Sequence, residues 1–151
     1  MTNLIMPNSK HPRRIGRETV LQAIYAYEIS NEDKNKILKD VLSRHSFDND
    51  MEIFVKDLFY LSVKNKKWCE EKIIERLNNW EFERVALLDR LLLILAISEI
   101  FFIDDVPPKV SISEAIEIAK QYSTEESPGF INGVLDNIYK SIPNEVNSSK
   151  V

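Results

Sequence analysis

Three arginines, Arg13, Arg14 and Arg17, sit within five positions near the start of the chain. Guanidinium groups grip phosphate through forked, charge-assisted hydrogen bonds, so this cluster could bind a nucleic-acid backbone. Residues 1–17 carry Lys10 and these arginines and no acid, a net of +4. The rest of the chain sets 16 bases against 24 acids, a net of −8. A basic end on an acidic body suits a local anion site, although composition alone slightly favours a solvated terminus. Single-stranded RNA also needs aromatic platforms, and Tyr122 and Phe130 flank the turn Ser123–Gly129. Ordinary core packing would explain both rings as well.

Catalytic chemistry is poorly supplied. The two histidines, His11 and His45, fall in an arm and a polar turn, with no metal-ligand spacing. The single cysteine, Cys69, excludes an intrachain disulfide and lies on an apolar helical face, where a core role outweighs a nucleophilic one. Three glycines, Gly16, Gly129 and Gly133, leave no Gly-rich phosphate loop. Asp104-Asp105 and Glu125-Glu126 stand at helix boundaries, where capping and solvation account for them. Glu99 is different, because it falls on an apolar stripe. A buried acid demands a partner, and a structural hydrogen bond or ion pair is expected ahead of acid catalysis. The residues describe neither an enzyme nor a cofactor or metal site.

The elements that must position these groups are helices. Leu88, Leu91, Leu92, Leu95, Glu99 and Phe102 repeat at helical spacing within Val85–Ile103. Leu91–Ile97 is apolar on every side, so neighbours must surround this helix. Charges at Asp89, Arg90, Glu99, Asp104 and Asp105 make it too broken for a membrane span. Ahead of it the pattern gives a helix from about Arg14 to Ile29, then a short one through Ile37, Leu38, Val41 and Leu42 that Asn31 can cap. A third runs from about Asp50 to Asn65. A fourth, through Cys69, Ile73, Leu77 and Trp80, is closed by Asn78-Asn79; the two could form one bent rod.

Behind the central helix, Asp104–Pro108 is a stop. Ser111 and Glu114 read as a capping box for the next helix, and Ser127-Pro128 as the N-cap and first residue of the last one. Gly133 is expected to allow close helix contact, and Pro143 to end the fold. The class is all-α, with about six or seven helices in two packed helical bundles. Residues 1–12 read as a flexible arm, 13–142 as a single domain and 143–151 as a tail. The N-terminal group extends to about residue 80 and the C-terminal group spans 84–142. No basic-then-apolar leader opens the chain, so a cytoplasmic protein is expected.

Three stretches resemble the bacterial transcription factor NusB family. RRIGRETVLQAIY (13–25) is similar to its arginine-rich opening, and NNWEFERVALLDRLLLILAISEI (78–100) to its central helix. VPPKVSISEAIEIAKQYSTEESPGFINGVLDNI (106–138) resembles its most distinctive block. Together the resemblance spans about residues 13–142. It implies an all-α, non-catalytic RNA-binding protein that pairs with the small-subunit ribosomal protein NusE. It further implies binding to single-stranded boxA-type RNA and service in the RNA polymerase antitermination complex of ribosomal RNA operons. By motif position it gives Arg13, Arg14 and Arg17 to phosphate, Tyr122 and Phe130 to RNA bases and Asp89 to the NusE side. Ile15, Ile94, Gly129 and the glycine-free Leu61-Ser62-Val63 depart from the family pattern. A helical protein adaptor that has lost RNA binding is the alternative. A related domain fronts some ribosomal RNA cytosine methyltransferases, but this chain has no room for a catalytic domain.

Overall fold

The computed structural model describes residues 12–77 and 82–150, with side chains as far as residue 142. The arm's Lys10 and His11, the Asn78-Asn79 pair and Trp80 lie outside the described residues. Among the described residues seven α-helices run in order: α1 (Pro12–Ser30), α2 (Lys34–Leu42), α3 (Asn49–Lys64), α4 (Lys66–Ile74), α5 (Leu87–Phe102), α6 (Pro108–Tyr122) and α7 (Ser127–Lys150). A 3-10 turn, Phe82–Arg84, leads into α5. No strand occurs among the described residues, as the missing period-two pattern predicts.

Helix α5 is the axle. Every residue from Leu91 to Ile100 is buried, and α1, α3, α4, α6 and α7 all pack against it. Each Leu or Ile side chain sealed there is worth ~1.5–3 kcal/mol relative to exposure. On one side α1, α2 and α3 pack on one another; on the other, α6 and α7 do. The two groups share α5, and with α4 they supply the cover that the apolar run requires.

Local signals explain most boundaries. Asp33 caps α2 by accepting from the Lys36 N–H at 3.1 Å, and Asp48 caps α3 by accepting from the Met51 N–H at 2.8 Å. Asn31 does not cap α2. It takes the left-handed conformation at φ 57° and closes α1, its N–H bonding to the Tyr27 carbonyl. Asparagine tolerates that conformation better than other side-chain-bearing residues, which is why it can end a helix. Helices α3 and α4 are nearly the expected bent rod. Asn65 alone interrupts them, its side-chain amide donating to the Leu61 carbonyl at 2.9 Å.

The second half holds the corrections. Helix α6 begins at Pro108, with Pro107 as its N-cap. Proline's fixed φ suits the first helical turn, so the pair that stops α5 also starts α6. Ser111 and Glu114 therefore lie inside the helix and form no capping box. Ser127 is the first residue of α7, and its hydroxyl goes to α5 instead of serving as an N-cap. Helix α7 continues through Pro143 to Lys150. A proline there removes one backbone donor, but the turns on both sides keep theirs. Gly133 faces open space. The close contact is at Gly16, where an added Cβ would meet the Met51 sulfur at 2.7 Å and Val55 Cγ2 at 3.3 Å. That lets α1 and α3 approach closely.

Candidate nucleic-acid interface

The arginine opening occupies the first turns of α1, and its three members meet different surroundings. Arg13 donates to Asp105 at 3.1 Å and lies over the Phe54 ring, 4.4 Å from its centroid. Its side chain is one-third exposed. Arg14 makes a two-pronged bond to Glu114, Nε to Oε1 and Nη2 to Oε2, both at 2.8 Å. Those hydrogen bonds outweigh the opposing effect of burial and raise the Arg14 pKa above its ordinary value. Arg17 is 2% exposed. Its Nε donates to Glu99 Oε1 at 2.8 Å and its Nη2 to Oε2, while Nη1 stands 3.7 Å from Glu114 Oε1. The partner expected for Glu99 is therefore Arg17.

The reason for this sorting is helical geometry. Arg17 lies one turn on from Arg13 and Arg14 and turns inward to face α5, where water is absent. A buried guanidinium without a carboxylate would be far too costly, so Arg17 and Glu99 must come together. Arg17 thereby belongs to the core, and of the three arginines Arg13 and Arg14 are the ones that solvent reaches.

A second cluster closes the turn between α6 and α7. Asp89, only 6% exposed, accepts from Ser123 at 2.6 Å through Oδ1 and from Ser127 at 2.7 Å through Oδ2. Ser127 Oγ in turn accepts from the Thr124 N–H at 3.3 Å. Asp89 is thus an internal tie, with both oxygens engaged, where the sequence suggested a contact to a protein partner. The tie positions the start of α7. There Phe130, partly buried, lines a cleft of about 200 Å³ with Arg84, Ala86, Asp89, Thr124 and Glu126. Tyr122 is 44% exposed but does not line that cleft. It opens onto a separate one of about 520 Å³ with Leu21, Gln22, Tyr25, Leu87 and Leu88. The two aromatics thus open onto different clefts.

Residues 14–140 match the model of the NusB family. The chain belongs to that family. It is 41% identical over 140 residues to the transcription antitermination protein NusB of Chloroherpeton thalassium; the match covers 92% of this chain and 64% of that longer relative. NusB of T. maritima superimposes with a TM-score of 0.79 at 36% identity, covering 87% of this chain and 93% of that one. A solved complex of antitermination factors NusB and NusE with double-stranded RNA gives 0.78 at 24% identity, covering 86% and 97%, and so shares the fold.

This NusB-family chain carries little that could act as a nucleophile. Burial pushes the Cys69 thiol up to about 11, with the Ser98 hydroxyl opposing weakly. His45 stacks on Phe47 at 4.6 Å and lies 3.3 Å from the Thr19 hydroxyl. No group of described residues could hold a metal ion, and no described helix is long and apolar enough to cross a membrane. Ile94, one of the departures from the family pattern, is buried at 1% and belongs to the core.

Two residues of the site escaped sequence reasoning. Glu114 sits where a cap motif explains it locally, and its true partner is 100 positions away. Arg84 lies in the short 3-10 turn and has no periodic signature. The seemingly local Ser127-Pro128 signal likewise hid the long-range bond to Asp89.

Proposed function

We propose that this chain is an RNA-binding transcription antitermination factor that pairs with NusE on single-stranded boxA-type RNA within the RNA polymerase antitermination complex. It acts by binding and not by catalysis, and its place of action is the cytoplasm. The observation that carries the reading is family membership over residues 14–140, together with a half-open arginine edge on the same fold as an aromatic cleft. Arg13 and Arg14 form the phosphate-facing edge, and Arg17 holds it from behind through Glu99. Phe130 supplies a stacking face beside the first turn of α7. Asp89 contributes by fixing that turn. Protein recognition falls to the apolar cleft of Leu21, Tyr25, Leu87, Leu88 and Tyr122, which leaves two tyrosine rings accessible.

The pairing of Arg13 and Arg14 with carboxylates favours a second reading, a protein adaptor that has lost RNA binding. Filter binding of boxA-type RNA, with and without NusE, separates the two. RNA retention strengthened by NusE supports the antitermination factor. NusE capture with no RNA retention at low salt would identify the adaptor.

A further inference from the structure

The sequence gives this edge three positive charges, yet Arg13, Arg14 and Arg17 each meet a carboxylate from the α5–α6 side: Asp105, Glu114 and Glu99. The pairs differ in how firmly they are closed. Arg17 and Glu99 are sealed from water. Arg13 and Asp105 are open, with side chains 33% and 68% exposed, and such a pair parts easily. Arg14 and Glu114 lie between these extremes, at 22% and 11%. A solvent anion can reach Arg14, but it meets a guanidinium whose fork is already filled.

We propose that Glu114 is a built-in competitor for phosphate at Arg14 and keeps that guanidinium from adding a phosphate contact to this edge. The proposal rests on the RNA-binding reading above. Glu114 occupies Nε and Nη2, the edge a phosphate would use for its own two-pronged bond. A phosphate arriving at the remaining N–H groups would lie close to the Glu114 carboxylate and be repelled by it. Displacement and side-on docking are therefore both opposed by the same negative charge. Glu114 is also drawn toward Arg17 Nη1 at 3.7 Å, which keeps it in place when Arg14 moves. RNA affinity is held below what Arg13 and Arg14 together could give, because Glu114 occupies Arg14.

The test is fluorescence anisotropy of a labelled single-stranded oligoribonucleotide across a salt series, with the full chain, Glu114→Gln, Arg14→Ala and the double variant. Glutamine keeps the shape and can still accept from arginine while losing the charge. The proposal expects several-fold tighter binding by Glu114→Gln. It also expects a salt dependence steeper by about 0.7 in log–log slope, the increment for one further phosphate contact on a single strand. Arg14→Ala should abolish that gain. Equal or weaker binding by Glu114→Gln, or a gain that survives in the double variant, overturns it. Should Glu114→Gln fail to fold, the parent and Arg14→Ala decide. A nearly unchanged slope supports cancellation by Glu114, and a slope shallower by about 0.7 contradicts it. Should the parent bind no RNA at any salt, the proposed function fails, but competition by Glu114 is still tested. The Arg14 Nε–H resonance should respond to inorganic phosphate in Glu114→Gln and stay still in the parent; identical responses would refute it.

Discussion

Glu99 and Asp89 are two buried carboxylates on the same helix, ten residues apart, and they are satisfied in opposite ways. Glu99 meets a guanidinium from α1 in a sealed ion pair. Asp89 meets two serine hydroxyls from the α6–α7 turn, with no cation bonded to it among the described contacts. The difference follows from what each must hold. Glu99 faces a helix arriving from the far end of the chain, and a two-pronged charged bond fixes its rotation as well as its distance. Asp89 faces a tight turn whose small hydroxyls fit where a long side chain would not. One carboxylate anchors the arginine edge and the other anchors the aromatic cleft. Both parts of the proposed interface are therefore referenced to α5.

The sharpest way to break the first anchor is Arg17→Ala. It leaves Glu99 buried without its cation and should cost ~3–5 kcal/mol, read by urea denaturation. A loss below ~1 kcal/mol, the range of exposed pairs, would mean that water reaches the pair. Leu95→Ala probes the stretch between the anchors. Leu95 is 1% exposed, and its truncation should cost ~2–5 kcal/mol. Because no charge changes, RNA affinity per folded molecule should stay at the parent value. A parent-like melting temperature would show that the axle is not where the two halves meet.

Asp89→Asn tests the second anchor and should be milder. One oxygen acceptor is replaced by a donor facing a hydroxyl, at a cost of ~1–3 kcal/mol. The loss should concentrate at the α6–α7 turn, visible as faster amide exchange at Thr124 and Ser127 with little change at Arg17. Uniform loss of protection across α1 would erase the distinction between the anchors.

Much of this was legible in residue patterns, and the misses share a cause. The stripe through Leu88, Leu95 and Glu99 fixes the helix and requires a partner for its acid, because periodicity and burial are local properties. The identity of that partner is not local. Arg17 looks like Arg13 and Arg14 in sequence, and only the direction in which α1 meets α5 makes it a core residue. The same holds for Asp89, which the family resemblance gives to a partner and which the α6–α7 turn covers. Ser111, Glu114 and Ser127 failed in a related way: each completes a plausible short-range cap, and each is better satisfied, or buried, by tertiary contact. Gly133 and Gly16 show the rule once more. A glycine's packing role depends on the facing helix, and α3 brings Met51 to Gly16 while nothing approaches Gly133.

In the proposed interface the cleft bearing Phe130 binds RNA while the buried anchors only hold it. Phe130→Ala tests it most directly, with stability and affinity for single-stranded RNA measured on the same preparation. The account predicts a stability loss well below the ~3–5 kcal/mol typical of core phenylalanines, since Phe130 is only partly buried. It predicts RNA binding weakened by ~1–3 kcal/mol, the worth of one stacked base. A large stability loss with unchanged RNA affinity per folded molecule would contradict it and return Phe130 to the core.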